Sequence, residues 1–84
     1  MARTHHELKT QTEYFQAVER GDKFFEVRKN DRNYQTYDMI TLVEVVGPDE
    51  IKTGRHLGSF EITYVLSGGK FGIDPAYCVI GFKK

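Results

Sequence analysis

The second half of the chain contains three stretches that are typical of β-strands. Met39–Val46 is almost continuously apolar, Phe60–Leu66 alternates apolar with polar residues, and Ala76–Phe82 is again mostly apolar. Gly47-Pro48-Asp49 interrupts this pattern, and Thr53-Gly54 predicts a further turn. Because the three stretches lie so close together along the chain, we expect this half to form a sheet.

The first half predicts one helix. Thr10 and Glu13 have the spacing of a capping box, in which the two side chains satisfy free amides at a helix start. Gly21 stands where a helix commonly ends in a left-handed residue. We therefore expect a helix over about residues 11–20. The remaining predicted strands are 5–9 and 24–28.

One helix with four to six closely spaced strands favours an α+β fold built on a small curled sheet or barrel. Closing the sheet would hide its edges. The length of 84 residues is enough for a single domain, 1–84, and too short for two. Five Tyr and six Phe supply large buried areas for its core.

Charge and cysteine content narrow the functional classes. Twelve basic residues balance twelve acidic ones, so any electrostatic recognition must be local. Cys78 is the single cysteine, whereas small secreted domains usually carry several. Residues 1–6 lack the apolar stretch of a signal peptide, and the chain has no transmembrane-length apolar run. We expect a cytoplasmic protein with no membrane contact. Adjacent His5 and His6 would point to opposite faces of a strand and could not both bind one metal ion, so no metal site is expected. No cofactor is expected either.

The segment from Arg20 to Arg32 is the densest charged stretch, with five basic and three acidic residues. Glu26 and Arg28 are two residues apart on a predicted strand, so they project from the same face roughly 7 Å apart. Lys23 lies near the start of that strand. Such a face can bind a polar or anionic ligand. The alternative is a solvated ion-pair network without a ligand, which is common on protein surfaces.

The motif Gly21-x-Lys23-x-x-Glu26-x-Arg28 matches the G-x-K-x-x-E-x-R signature of ASCH domains, a branch of the PUA-like superfamily. Further characteristic segments are 6–9, 13–18, 26–32, 38–44 and 77–82. With them, nearly the whole chain resembles DUF3850, a family of small bacterial and phage proteins. The resemblance implies a PUA-like curled β-barrel of about five to six strands with the helix packed beside it.

The resemblance also implies that Lys23, Glu26 and Arg28 line a cleft between barrel and helix, which would hold RNA or a modified nucleobase. We expect basic residues to contact phosphate there and Glu26 to accept hydrogen bonds from a base amino group. The predicted function is an RNA- or nucleotide-binding module, with single-stranded RNA preferred over duplex. The predicted ligand-binding residues are His6, Lys9, Lys23, Glu26, Arg28, Lys29, Asn30 and Arg32.

Two other functions stay open at this point. Some ASCH relatives are amidohydrolases that deacylate N4-acetylcytidine with a lysine, a threonine and a distant glutamate. Lys23 matches the lysine, but Glu26 occupies the threonine position, so Lys23 and Glu26 are the catalytic candidates, with Glu26 acting as a base on water. The third reading is a protein-interaction module that uses an exposed sheet edge.

Overall fold

The fold consists of one five-stranded mixed sheet and one helix, in a computed structural model that describes residues 3–84. Met1 and Ala2, which begin the segment examined for a signal peptide, lie outside the described residues. The α+β prediction with one main helix is confirmed. The elements are β1 (His5–Gln11), α1 (Thr12–Glu19), β2 (Phe25–Lys29), β3 (Met39–Val46), β4 (Ile51–Ser67) and β5 (Tyr77–Lys83).

The strand order is β1-β3-β4-β5-β2. β1 pairs in parallel with β3, while β3, β4, β5 and β2 are joined by antiparallel ladders. The one helix within residues 3–84 has eight residues, far fewer than a membrane crossing needs. The two strands from the first half of the chain therefore lie at opposite ends of the strand order, on either side of the β3-β4-β5 meander.

The core lies on one face of the sheet, where α1 covers it with Phe15 and Val18. Burial alternates along β1 and β5, as expected for strands with one covered face. Cys78 is fully buried in β5, and burial raises the pKa of its thiol. The core residues are Leu8, Phe15, Val18, Tyr34, Ile40, Leu42, Phe60, Ile62, Cys78, Ile80 and Phe82.

β4 is much longer than predicted. The break at Gly47 is confirmed by a turn in which the Glu50 amide donates to the Gly47 carbonyl. The turn predicted at Thr53-Gly54 is wrong, because both residues lie within β4. The register between β3 and β4 shifts beside this segment, and the Thr53 hydroxyl donates to the buried carboxylate of Glu44 at 2.5 Å. Pairing with β3 thus overrides the local turn preference.

The helix begins differently from the prediction and ends as predicted. Thr10 belongs to β1, and its hydroxyl donates to the Leu8 carbonyl, so the predicted capping box is wrong. Gln11 is the N-cap residue and makes no side-chain cap. At the other end, Gly21 has a φ of 84°, and the amides of Gly21 and Asp22 donate to Val18 and Ala17. This is a Schellman motif, the predicted glycine stop.

The two edge strands are joined by side chains. Arg28 Nη1 donates to the Lys9 carbonyl at 2.6 Å, and Arg32 Nη1 donates to the Glu7 carbonyl at 2.7 Å. Within residues 3–84 no backbone ladder pairs β1 with β2, so the sheet is open and the predicted barrel closure is not confirmed. The arginines satisfy acceptors that an unpaired strand edge would otherwise leave to water.

We expect Arg28→Ala and Arg32→Ala each to lower the free energy of unfolding by about 1–1.5 kcal/mol, because each removes a charged donor from a β1 carbonyl. Urea unfolding of both variants would measure this. Arg20→Ala is the matched control, since Arg20 bonds only to the exposed Asp22 carboxylate among its described contacts and should change stability by less than about 0.5 kcal/mol. Equal effects in all three variants would contradict the bridging role.

Candidate functional site

The Schellman turn at Gly21 directs the chain back towards the helix and places Lys23 beside Glu26. The Lys23 ammonium forms an ion pair with Oε1 of Glu26. The side chains are 15% and 7% exposed, respectively. The alternation in β2 therefore turns Glu26 inwards, and the pair is not the solvated surface network considered above. A carboxylate this buried requires a partner, and Lys23 supplies it.

A cavity of about 380 Å³ opens onto this pair. Its aromatic walls come from Tyr14 of α1 and Phe25 of β2. The Lys23 ammonium lies 5.3 Å from the ring centre of Tyr14 and 5.0 Å from that of Phe25, which are cation–π distances. We call it the Lys23–Glu26 cavity, lined by Tyr14, Lys23, Phe25, Glu26 and Val27.

Arg28 and Arg32 lie outside the lining of the Lys23–Glu26 cavity and bridge β2 and its following loop to β1. Burial raises the pKa of the Tyr34 hydroxyl above its ordinary value, although the positive charges of the Arg28 and Arg32 guanidinium groups both oppose that shift. The arginine pair is therefore held in place by contacts within the protein.

The remaining predicted ligand-binding residues do not gather at one place. Lys9 is exposed on β1, and Lys29 and Asn30 are exposed at the end of β2. The Asn30 amide donates to the Ala76 carbonyl, which fixes the loop after β2 against the start of β5. His6 is buried on the core side of β1, whereas His5 is exposed, as the alternation predicts. Of the predicted set, Lys23 and Glu26 are the two that line the cavity together.

The buried partner of His6 is Asp38, which the sequence predicts only as a turn residue before the next strand. His6 Nε2 lies 3.0 Å from Asp38 Oδ2, and the His6 ring meets Tyr34 edge-on at 4.7 Å. The amides of Thr4 and Gln35 also donate to this carboxylate. Burial alone would raise the pKa of Asp38, but the hydrogen bonds from His6 and the two amides outweigh it and lower the pKa. Asp38 thus ties the start of β1 to the start of β3.

Glu44 is a second buried acid that the sequence pattern does not single out. Arg55 lies within 4.0 Å of its carboxylate and also pairs with Glu19 on α1. The Arg55 guanidinium lies 5.3 Å from the ring centre of Phe15. The contacts attach the first half of β4 to the helix. Spacing could not predict them, because the partners are separated by about ten residues or more.

A larger and shallower depression of about 490 Å³ lies on the outer side of β1, β3 and β4. It contains a hydrogen bond of 2.7 Å between His5 Nε2 and Thr41 Oγ1. Its described lining includes no Phe or Tyr, which makes it a poorer receptor for a planar ring than the Lys23–Glu26 cavity. Its lining includes His5, Glu7, Thr41, Val43, Lys52 and His56.

Residues 3–84 contain no cluster of three His, Cys, Asp or Glu side chains that could hold a metal ion. Comparison with known families gives a match to DUF3850, described as a domain of unknown function, over residues 5–82.

The chain belongs to the DUF3850 family.

No curated protein matches the chain. The DUF3850 match spans every strand and the helix up to Phe82, so it covers both the Lys23–Glu26 cavity and the arginine bridges. Because the family is described as one of unknown function, the chemistry of the cavity must supply the functional argument.

The lowered pKa of Asp38 predicts a specific loss of stability in acid. The unfolded state takes up this proton at a higher pH than the folded state, so the stabilisation is complete above about pH 5 and is lost as the pH falls through the folded-state pKa. We expect Asp38→Asn to cost about 1–2 kcal/mol at pH 7 and less at pH 3. Urea unfolding at both values checks this. Asp22→Asn, at an exposed carboxylate, should cost little at either pH. An Asp38→Asn penalty that is the same at pH 3 as at pH 7 would contradict the assignment.

Proposed function

We propose that this DUF3850 protein is an RNA- or nucleotide-binding module that takes one base into the Lys23–Glu26 cavity. The observation that carries the proposal is the ion pair of Lys23 and Glu26 within a cavity that has two aromatic walls. Small-molecule sites typically combine such apolar walls with a few fixed polar groups.

Each part of the cavity has a matching part on a nucleobase. Tyr14 and Phe25 offer ring faces on which a base can stack, an interaction worth about 1–3 kcal/mol. Glu26 Oε1 accepts from Lys23, while its second oxygen retains acceptor capacity for the amino group of cytosine or adenine. Lys23 keeps two further N–H donors for a carbonyl oxygen or a phosphate.

The phosphate contacts are expected from basic groups near the cavity. Lys29 is exposed, and Arg28 has further N–H donors besides the one that binds the Lys9 carbonyl. Lys9, Asn30 and Arg32 extend this surface along the bridge between β1 and β2. Because the whole chain has a net charge of zero, electrostatic attraction should be confined to this local surface. Binding should weaken as salt rises, because lysine and arginine contacts to phosphate release counterions.

The ASCH-type, PUA-like assignment and cytoplasmic location belong to the same proposal. The residues of the G-x-K-x-x-E-x-R motif have distinct structural tasks that agree with a ligand cleft. Gly21 makes the turn, Lys23 and Glu26 form the polar wall, and Arg28 joins the sheet edges beside it. A helix lies next to this cleft, through Tyr14.

Hydrolysis of an acylated nucleoside is a second candidate, favoured by the direct contact of Lys23 with Glu26. In that reaction Glu26 would take a proton from water as the water attacks the amide carbonyl, and Lys23 would stabilise the oxyanion. The leaving amino group of cytidine would then receive the proton from Glu26. Acetate and cytidine are the products expected from N4-acetylcytidine.

The test is a titration of the ¹⁵N-labelled protein with the four ribonucleoside 5′-monophosphates and N4-acetylcytidine, followed by amide shifts. We expect shifts at Tyr14, Lys23, Phe25 and Val27. Glu26→Gln should weaken binding of cytidine and adenosine monophosphates at least tenfold, because it removes a charged acceptor from the base amino group. Glu13→Gln, the same chemical change at an exposed position of α1, should leave affinity unchanged.

Tyr14→Ala provides a second variant at an exposed side chain, in case Glu26→Gln perturbs the fold. It should also weaken binding about tenfold. Release of acetate, lost in both Lys23→Ala and Glu26→Gln, would assign the hydrolase. An absence of shifts around the cavity at millimolar nucleotide would exclude nucleotide binding there, and a protein recovered from host lysate without RNA would favour an interaction module.

A further inference from the structure

The outer side of β2, β5 and β4 carries apolar side chains in two neighbouring rows. Phe25 and Tyr64 lie opposite Gly81 from either side, and Val27 and Leu66 lie opposite Val79 in the same way. Phe25, Val27 and Tyr64 are between 47% and 65% exposed. We call these six residues the outer apolar face: Phe25, Val27, Tyr64, Leu66, Val79 and Gly81.

Gly81 leaves a gap in the middle of this face. Its φ lies outside the left-handed region, and a Cβ built there meets nothing nearer than Thr63 Oγ1 at 3.4 Å and the Tyr64 carbonyl at 3.8 Å. Neither backbone conformation nor crowding therefore requires glycine. A glycine inside a strand lowers stability, and it often marks a bulge or a place where a ligand approaches the backbone. The β4–β5 ladder shifts register beside Gly81, between Ile62 and Tyr64, so the bare backbone of Gly81 lies next to a bulge that carries Thr63 and Tyr64.

The gap has aromatic sides. Phe25 and Tyr64 are each one strand away from Gly81, so their Cα atoms are about 10 Å apart across the sheet. From this register we infer a slot whose floor is the bare backbone of Gly81 and whose sides are the exposed side chains of Phe25 and Tyr64. The hydroxyl of Thr63 lies at its edge and can donate to a ligand. Planar rings are the ligands that such a slot accepts best.

The slot adjoins the Lys23–Glu26 cavity, because Phe25 and Val27 line that cavity and also belong to the outer apolar face. We propose that a second base of the same single-stranded RNA stacks over Gly81 between Phe25 and Tyr64. The inference rests on the proposed function, and it extends the ligand from one nucleotide to a strand of at least two. Exposed aromatics on a sheet are a recurrent platform for single-stranded RNA.

The charges around the outer apolar face fit a polyanion. Lys29 follows Val27 on β2 and lies opposite Tyr77, and Lys83 follows Gly81 on β5. The acid opposite Lys83 is Glu61, whose carboxylate is held by Arg3 at 3.4 Å. The phosphates on either side of the stacked base would therefore each meet a lysine. A second copy of this chain, which has no net charge, gives no comparable reason for lysines at both ends of the face.

The experiment compares affinities for ribonucleoside monophosphates and for the tetraribonucleotides A4, C4 and U4, by fluorescence anisotropy or calorimetry. Wild-type protein should bind at least one tetranucleotide about tenfold or more tightly than the matching monophosphate. Tyr64→Ala should remove about tenfold of tetranucleotide affinity and change monophosphate affinity less than twofold. Gly81→Val, which fills the slot at a site with room for a Cβ, should have the same selective effect.

Tyr37→Ala is the matched control, because Tyr37 is 63% exposed and lies outside the outer apolar face. It should leave both affinities unchanged. If monophosphates bind but Tyr64→Ala and Gly81→Val leave tetranucleotide affinity intact, the slot is not a base site and the proposed cavity function survives. If neither ligand binds, both proposals fail. Light scattering that shows a dimer dissociated by Tyr64→Ala, without an effect on RNA, would assign the face to a second copy and overturn the slot.

Discussion

Arg28 and Arg32 connect two strands that the sheet order places as far apart as it can. β1 and β2 are separated by three other strands, yet the arginines of β2 and its following loop reach the carbonyls of Lys9 and Glu7. The sheet must therefore curve until its edges nearly meet. The curvature brings the start of β2 beside α1, which follows directly from β1. The cavity with Tyr14 on one side and Phe25 on the other exists because of this approach.

The buried acidic side chains that the structure describes all have a polar or charged partner, although they are scattered along the sequence. Glu26 lies against Lys23, Asp38 against His6, and Glu44 against Thr53 with Arg55 nearby. Each carboxylate avoids the cost of an unpaired buried charge. Two of the pairs fasten strands or the helix together. The Lys23–Glu26 pair differs because it lines a cavity, and this exposure to a potential ligand distinguishes it from the structural pairs.

The sequence predicts the elements whose signals are local. The strand at Met39–Val46, the glycine stop at Gly21 and the opposite orientations of His5 and His6 all depend on a few neighbouring residues, and they are confirmed. The capping box at Thr10 fails because pairing of β1 with β3 continues through Gln11. The predicted turn at Thr53-Gly54 fails for a similar reason. Pairing with β3 determines the structure at Thr10 and at Thr53-Gly54. A short window of sequence does not show which distant strand will pair with it.

The candidate site divides in the same way. The motif spacing identifies Lys23 and Glu26, which do come together. It gives no sign that Glu26 is buried, since that depends on which face of β2 the core covers. Tyr14, Phe25 and Val27 complete the lining, and sequence alone could not separate them from core residues. The buried role of Asp38 is missed because two of its three partners, Thr4 and His6, lie more than thirty residues away in the sequence.

The strand order also governs how different parts of the molecule open. β3, β4 and β5 form a meander of neighbouring hairpins, which can hold together through contacts that are close in sequence. β1, α1 and β2 attach to its two ends by pairings that span long stretches of chain. In native-state hydrogen exchange, such peripheral segments are the ones that open first, at a lower free energy than the central strands. The Lys23–Glu26 cavity is built from α1, β2 and the segment between them. A ligand that binds there would therefore raise the free energy of local opening in the segments that open most easily.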